Sequence, residues 1–494
     1  MKKKIILLLS IFVVATAALF GALYYNGYLD MDTYEYDSSI YKFEDEWVYC
    51  VYNDTAEIKS CRRVAGTLLD IPETLGGYPV TSLGWGIIND KQAERITEIN
   101  IPYTLLYFSD LNFVNTRWYE NQPDGVVYLR HIAMGIKGEI PDGKLIIKEG
   151  TRVIAGNAFR NESAIVELVL PSTLEIIGFN AFRACDNLKK INIPDNVKEI
   201  NSCAFYESAE LEVIETSNTV ARISSSAFMG TKWISQHNGD FVSLCGNLLL
   251  YTKYENDGQD IYIEDSIRAI GDFAFELSEN MGVIHIPEGC TDISEWAFQD
   301  SSFKGFSVDE NNTSYVTDEQ GNLYLKDKTK LIRYAALNEN TEFTVPDSVT
   351  YIAEEAFSNA EYLEKIVIHG KVEHIGTDAF YKTTALENIV VSEDNGVYKS
   401  VDGVLFDKDM TMLLCYTNGH DRKSYAIPDG VREVDDWAFA HCEAIEEIVI
   451  PDSVERIGSI ISCKNMNYSG LNSDREEFVS DIYLQNCGVD YIDE

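Results

Sequence analysis

The segment PSTLEIIGFNAFRACDNLKKINIP, Pro171 to Pro194, decides the fold. Its central Ala-Phe pair recurs at Ala158-Phe159, Ala181-Phe182, Ala204-Phe205, Ala227-Phe228, Ala274-Phe275, Ala297-Phe298, Ala356-Phe357, Ala379-Phe380 and Ala438-Phe439. Successive intervals are 23, 23, 23, 47, 23, 59, 23 and 59 residues. A fixed period in this range is the sequence signature of a solenoid. The longer intervals read as a 23-residue repeat carrying an insertion of 24 or 36 residues.

Counted from Pro171 as zero, each column of the repeat has a physical task. Position 3 is apolar (Leu174, Val197, Val349, Val431, Val454), and position 6 is Ile or Val (Ile177, Ile200, Ile293, Ile352, Val434, Ile457). Positions 10, 11 and 14, the last usually small as in Ser208, Thr383 and Cys442, are spaced like one helical turn with one side inward. Positions 20 and 22 form an I-x-I pair, as in Ile191-Asn192-Ile193 and Ile366-Val367-Ile368, whose side chains point to one face of a short strand. The proline that follows has no N–H and ends that strand. One such unit cannot bury its apolar face. Stacked units can, with strands about 4.8 Å apart in a parallel sheet.

The stretches IPDNVKEINSCAFYESAELEVI (Ile193–Ile214), VPDSVTYIAEEAFSNAEYLEKIVI (Val345–Ile368) and IPDGVREVDDWAFAHCEAIEEIVIPDSVERIG (Ile427–Gly458) resemble the BspA-type leucine-rich repeat family. IPETLGGYPVTSLG (Ile71–Gly84) is similar to the family's usual first repeat. The resemblance covers roughly residues 40–460. It implies a β-dominated α/β repeat fold: a curved solenoid with a parallel sheet and short helical turns. It also implies a surface or secreted protein that binds a protein or glycan. The pattern departs where Lys148, Ser217, Glu264, His369 and Ser392 replace the proline, and where Gly84–Pro102 lacks Ala-Phe.

At the N-terminus Lys2–Lys4 precede an uncharged apolar run, Ile5–Tyr25. As a helix this run is about 31 Å long, enough to span a bilayer. Ala15-Thr16-Ala17 suits a signal-peptide cleavage site, and the continuation to Tyr25 suits an uncleaved anchor. Both readings keep the lysines inside and place the rest outside the cytoplasm. Residues 1–25 are therefore the signal or anchor segment, and 26–66 an acidic linker with a β-hairpin cap turning near Asn53-Asp54-Thr55. Residues 67–464 hold the repeats, with 465–494 as a C-terminal cap or tail. Insertions lie near 235–258, 309–342 and 392–424, and Tyr103–Gly138 also breaks the pattern. Glycine turns between alternating apolar runs make the three insertions read as hairpins projecting from the stack. The last two align at an offset of 82, matching Leu331-Ile332-Arg333-Tyr334 to Leu413-Leu414-Cys415-Tyr416.

Forty Lys and Arg against eighty Asp and Glu give a net charge of −40, which argues against nucleic acid and anionic lipid as partners. No EF-hand loop, C-x-x-C, H-E-x-x-H, G-x-S-x-G, Walker or G-x-G-x-x-G motif occurs. Ten cysteines in an exported chain raise the question of disulfides, with Cys50–Cys61 and Cys463–Cys487 the plausible pairs. Cys185, Cys290 and Cys442 stand in columns otherwise filled by small or apolar residues and read as buried hydrophobes.

The expectation is a monomeric, non-enzymatic extracellular binding protein without cofactor or metal. The alternative is an envelope spacer with no specific ligand. The outward column between positions 20 and 22 places Val367, Val390 and Val449 on the solvent face, rimmed by charge. Valine is also a good strand former, so that column has a purely structural reading as well. Tyr315, Tyr324, Tyr398 and Phe406 on the hairpins are the aromatics expected to flank it.

Overall fold

The computed structural model describes residues 42–458 except 53, 65, 85, 109–112, 218–219 and 443, together with 467–469. The apolar segment 1–25 and the Cys463–Cys487 pair lie outside these residues. Among the described residues no helix is long and apolar enough to cross a membrane. The chain divides into two compact units, Met1–Glu215 and Thr216–Glu494.

In both units the repeat builds two parallel ladders, not one. The I-x-I strands form the first: Leu145 pairs with Leu168, Ile261 with Ile284, Ile366 with Ile389, and Tyr425 with Ile448. Two-residue strands at positions 5 and 6 form the second. Here Ile154 pairs with Ile177 and Ile177 with Ile200 in the first unit. In the second, Ile270 pairs with Ile293, Ile352 with Ile375, and Val434 with Ile457. The sequence period of 23 thus reappears directly as the pairing register.

Between the ladders the Ala-Phe segments are buried. Phe159, Phe182 and Phe205 are wholly inaccessible and stack in a file, with ring centroids 5.3 Å apart at each step. Phe275 and Phe298 stack at 5.1 Å, and Phe357 and Phe380 at 5.6 Å. Such offset stacking adds to the burial of ring area. The expected helical turn takes the form of successive tight turns, with Ala181 N–H donating to Gly178 and Arg183 N–H to Asn180. Residues at positions 9 and 13 have left-handed backbone, as at Asn180, Ala184, Asp378, Lys382, Trp437 and His441. The column of small residues at position 14 also has a polar task. Ser208 Oγ donates to Phe182 O at 2.8 Å, Thr383 Oγ1 to Phe357 O at 3.0 Å, and Cys185 Sγ to Phe159 O at 3.3 Å. A buried carbonyl that the turn leaves exposed is thereby satisfied by the next rung.

The insertions lie in the plane of the short-strand ladder instead of projecting from it. In each, the last strand joins the ladder in parallel: Leu248 pairs with Ile270, Leu331 with Ile352, and Leu413 with Val434. Earlier strands of the insertion extend the same sheet antiparallel, as Leu323 to Arg333 and Leu405 to Cys415. In the first unit, Gly125–Leu129 and Ile132–Lys137 within the irregular 103–138 segment make the same device, with Ala133 pairing to Ile154. Trp47–Tyr52 and Thr55–Cys61 form an antiparallel hairpin, and Ala56 continues in parallel to Val80. Beyond the boundary drawn at 464, Asn467–Ser469 adds a further parallel strand beside Glu447–Val449.

The cysteine readings divide. Cys185 and Cys290 are buried free thiols, and Cys442 is buried, as their columns imply. Cys50 and Cys61 are also free, because Cys50 lies opposite Glu57 and Cys61 opposite Trp47. The two arms carry them at different levels of the hairpin.

Candidate functional site

The outward column is where the period places it, but it is not one continuous stripe. Val367 and Val390 are direct neighbours in register, with Val367 half-buried and Val390 41% exposed. Glu364 and Glu387 beside them face solvent, and Lys365 pairs with Glu342 at 3.4 Å. Val449 belongs to a different sheet, between Ala426 and Ser469.

The hairpin aromatics are not on a surface. Tyr315, Tyr324 and Phe406 are buried, and Tyr398 is half-buried. Period-two alternation identifies a strand, but it does not tell whether the sheet is covered on one face or two. Two of these side chains have a structural task. Tyr315 hydroxyl accepts the Ile293 N–H at 2.8 Å, and Tyr398 hydroxyl accepts the Ile375 N–H at 2.9 Å. Each closes the ladder where the insertion interrupts it, so that a buried backbone donor is not left unpaired.

A polar cluster that no motif announces surrounds Arg333. This arginine, last in the strand Lys330–Arg333, is 1% exposed. Its guanidinium donates to the Glu355 carbonyl and, at 2.9 Å, to the Phe298 carbonyl, and it pairs with the Glu355 carboxylate at 3.4 Å. Asp300 pairs with Lys382, and burial beside Asp300 and Glu355 pushes the Glu276 carboxyl up to about 7. Acids taken out of water here are held by an internal cation.

Eighty-two residues on, the same register recurs without the cation. Leu405 pairs with Cys415 as Leu323 pairs with Arg333, with a register shift at the same place. Around Cys415 lies a cavity of about 120 Å³ walled by Asp378, Asp435, Tyr381, Trp437 and Phe380. Burial, reinforced by Glu355, Asp435, Asp436 and Glu354, pushes Asp378 up to about 7. Asp435 is pushed to about 6 by burial and by Asp436, and burial with Asp378 and Asp435 raises the Cys415 thiol to about 12. Among the described residues neither Asp378 nor Asp435 forms an ion pair with a lysine or arginine. No group of three His, Cys, Asp or Glu among them has the arrangement to hold a metal ion. Sequence reasoning missed this cluster, although the offset of 82 already set Cys415 against Arg333.

Two parallel ladders, a 23-residue register and an internal phenylalanine file define a β-solenoid of leucine-rich-repeat type. The BspA type leucine rich repeat region matches in six copies, over residues 143–240, 251–320, 329–405 and 414–492, and the chain belongs to this family. Among solved structures it is similar to the pneumococcal vaccine antigen PcpA (16% identity, covering 88% of each chain, TM-score 0.32). It is also similar to a leucine-rich repeat protein from Eubacterium ventriosum (20% identity, 67% of this chain and 92% of that one, TM-score 0.34). A leucine rich cell surface protein from Faecalibacterium prausnitzii shares 22% identity over 88% of this chain and 97% of its own, with TM-score 0.26. No curated protein matches the chain.

Proposed function

We propose that the protein is a non-catalytic, extracytoplasmic binding module that engages a protein or glycan partner through the open face of its I-x-I ladder. The observation that carries this reading is the adjacent pair Val367 and Val390, apolar and accessible, with the exposed Glu364 and Glu387 beside them. Apolar side chains ringed by polar ones are the usual composition of an interaction patch. Family membership and the apolar segment Ile5–Tyr25 support a place outside the cytoplasm, either anchored or secreted. Valine 449 offers a second, separate contact point on its own sheet.

The test is the double change Val367→Lys and Val390→Lys, with Val449→Lys made separately, read as attachment of the purified, labelled protein to intact cells. Outward residues tolerate the change, so the unfolding free energy stays within about 0.5 kcal/mol of wild type while attachment falls. A variant that folds and attaches normally removes this face as the site.

A further inference from the structure

The molecule carries the same structural device twice and fills it once. In the first copy the Arg333 guanidinium lies between the carbonyls of Phe298 and Glu355 and beside the Glu355 carboxylate. The equivalent carbonyls in the second copy, at the same offset of 82, belong to Phe380 and Trp437. There the strand position is Cys415, and it lines the cavity together with Phe380 and Trp437. We propose that this cavity receives an alkylguanidinium or alkylammonium group from outside the chain, in the place that Arg333 fills in the preceding copy.

The chemistry of the walls agrees with that occupant. Asp378 and Asp435 supply acceptors for charge-assisted hydrogen bonds, and Trp437 and Tyr381 line the cavity with aromatic rings, the latter with Lys382 Nζ 5.2 Å from its centroid. A cavity of about 120 Å³ is somewhat smaller than the ~150 Å³ that admits benzene. A guanidinium has fewer heavy atoms than benzene. An organic cation is favoured over a metal ion because the carboxylates do not converge into a ligand set. Entry of a cation would reverse the like-charge environment that Asp378 shares with Glu354, Glu355, Asp435 and Asp436. This site is independent of the valine face and stands or falls separately from it.

The experiment is calorimetric titration of the full chain at about pH 8, where the carboxyls are ionised. The probes are argininamide, the peptide Gly-Gly-Arg-Gly-Gly, and citrullinamide as the neutral isostere. Argininamide should bind and citrullinamide should not. Binding should weaken on lowering the pH through the range from about 7 to about 6, where Asp378 and Asp435 gain protons. Asp378→Asn should weaken it on the order of tenfold, the effect of one charge-assisted contact. Cys415→Arg should refill the cavity from within, as Arg333 does, and abolish binding while leaving thermal unfolding intact. Binding of both the amide and the peptide assigns the group to a protein side chain, and binding of the amide alone assigns it to a free small molecule. Either result supports the site. Absence of saturable binding by both cations, equal binding of citrullinamide, or binding that survives Cys415→Arg overturns it.

Discussion

Glu175 lies between two cations of neighbouring rungs, paired with Arg152 on one side and with Lys198 at 2.8 Å on the other. Hydrogen bonding from Arg152, then from Lys198, holds its carboxyl down to about 2, while burial opposes the shift. A carboxyl with a depressed folded pKa stabilises the protein above its unfolded value and loses that contribution as the pH falls towards the folded one. The window for Glu175 therefore runs from about 4.5 down to about 2. Glu276, Asp378 and Asp435 have the opposite sign, because their raised values favour the folded state more as the pH falls towards the ordinary carboxyl range. Comparison of wild type with Glu175→Gln isolates the first effect. Urea midpoints should converge as the pH is lowered through that window, with wild type the more stable above it. A difference that does not change with pH would remove the charge from the explanation. Column rules made other single residues legible. The inaccessibility of Cys185 and Cys290 follows from the company they keep at positions 14 and 3.

At the scale of the element, the last two insertions hold their place through a buried asparagine. Asn395 is inaccessible, donates to His369 O and Val372 O at 3.0 Å each, and accepts from Val397 N at 2.8 Å and Tyr398 N at 2.7 Å. Asn312 repeats the arrangement, donating to Pro287 O and Cys290 O and accepting from Ser314 N and Tyr315 N. Asn395→Ala strands these backbone groups in an apolar setting, and we expect a loss on the order of 3 kcal/mol. Chemical denaturation measures the loss, and amide exchange should rise first at Val397 and Tyr398. A change below about 0.5 kcal/mol, the range of an ordinary surface substitution, would contradict this role. The hairpins themselves were legible from glycine turns and alternation, but their placement in the sheet was not. A two-residue strand such as Ile352 with Tyr351 is too short to show a period, so nothing in the sequence revealed the second ladder that receives them. Another recurrence also escaped notice. Thr116-Arg117-Trp118 and Thr231-Lys232-Trp233 each open a short helix, with the threonine hydroxyl accepting from the residue three further on, and each precedes a hairpin.

For the whole molecule, the period of 23 made the architecture readable, because a solenoid writes its register directly into its sequence. What the period could not give is what depends on two elements far apart in sequence. The Arg333 cluster draws on Phe298 and Glu355, and the cavity beside Cys415 draws on Asp378 and Asp435. The central claim is that stability resides in contacts between neighbouring rungs along the phenylalanine file. Phe182, stacked between Phe159 and Phe205, tests it. Phe182→Ala should cost about 3–5 kcal/mol, confined to adjoining rungs because solenoid contacts are nearest-neighbour. Residue-resolved hydrogen exchange of this variant is the most direct measurement. The account predicts lost protection around Ile154, Ile177 and Ile200, with protection at Ile352 and Val434 unchanged; uniform loss across all of these strands would contradict it.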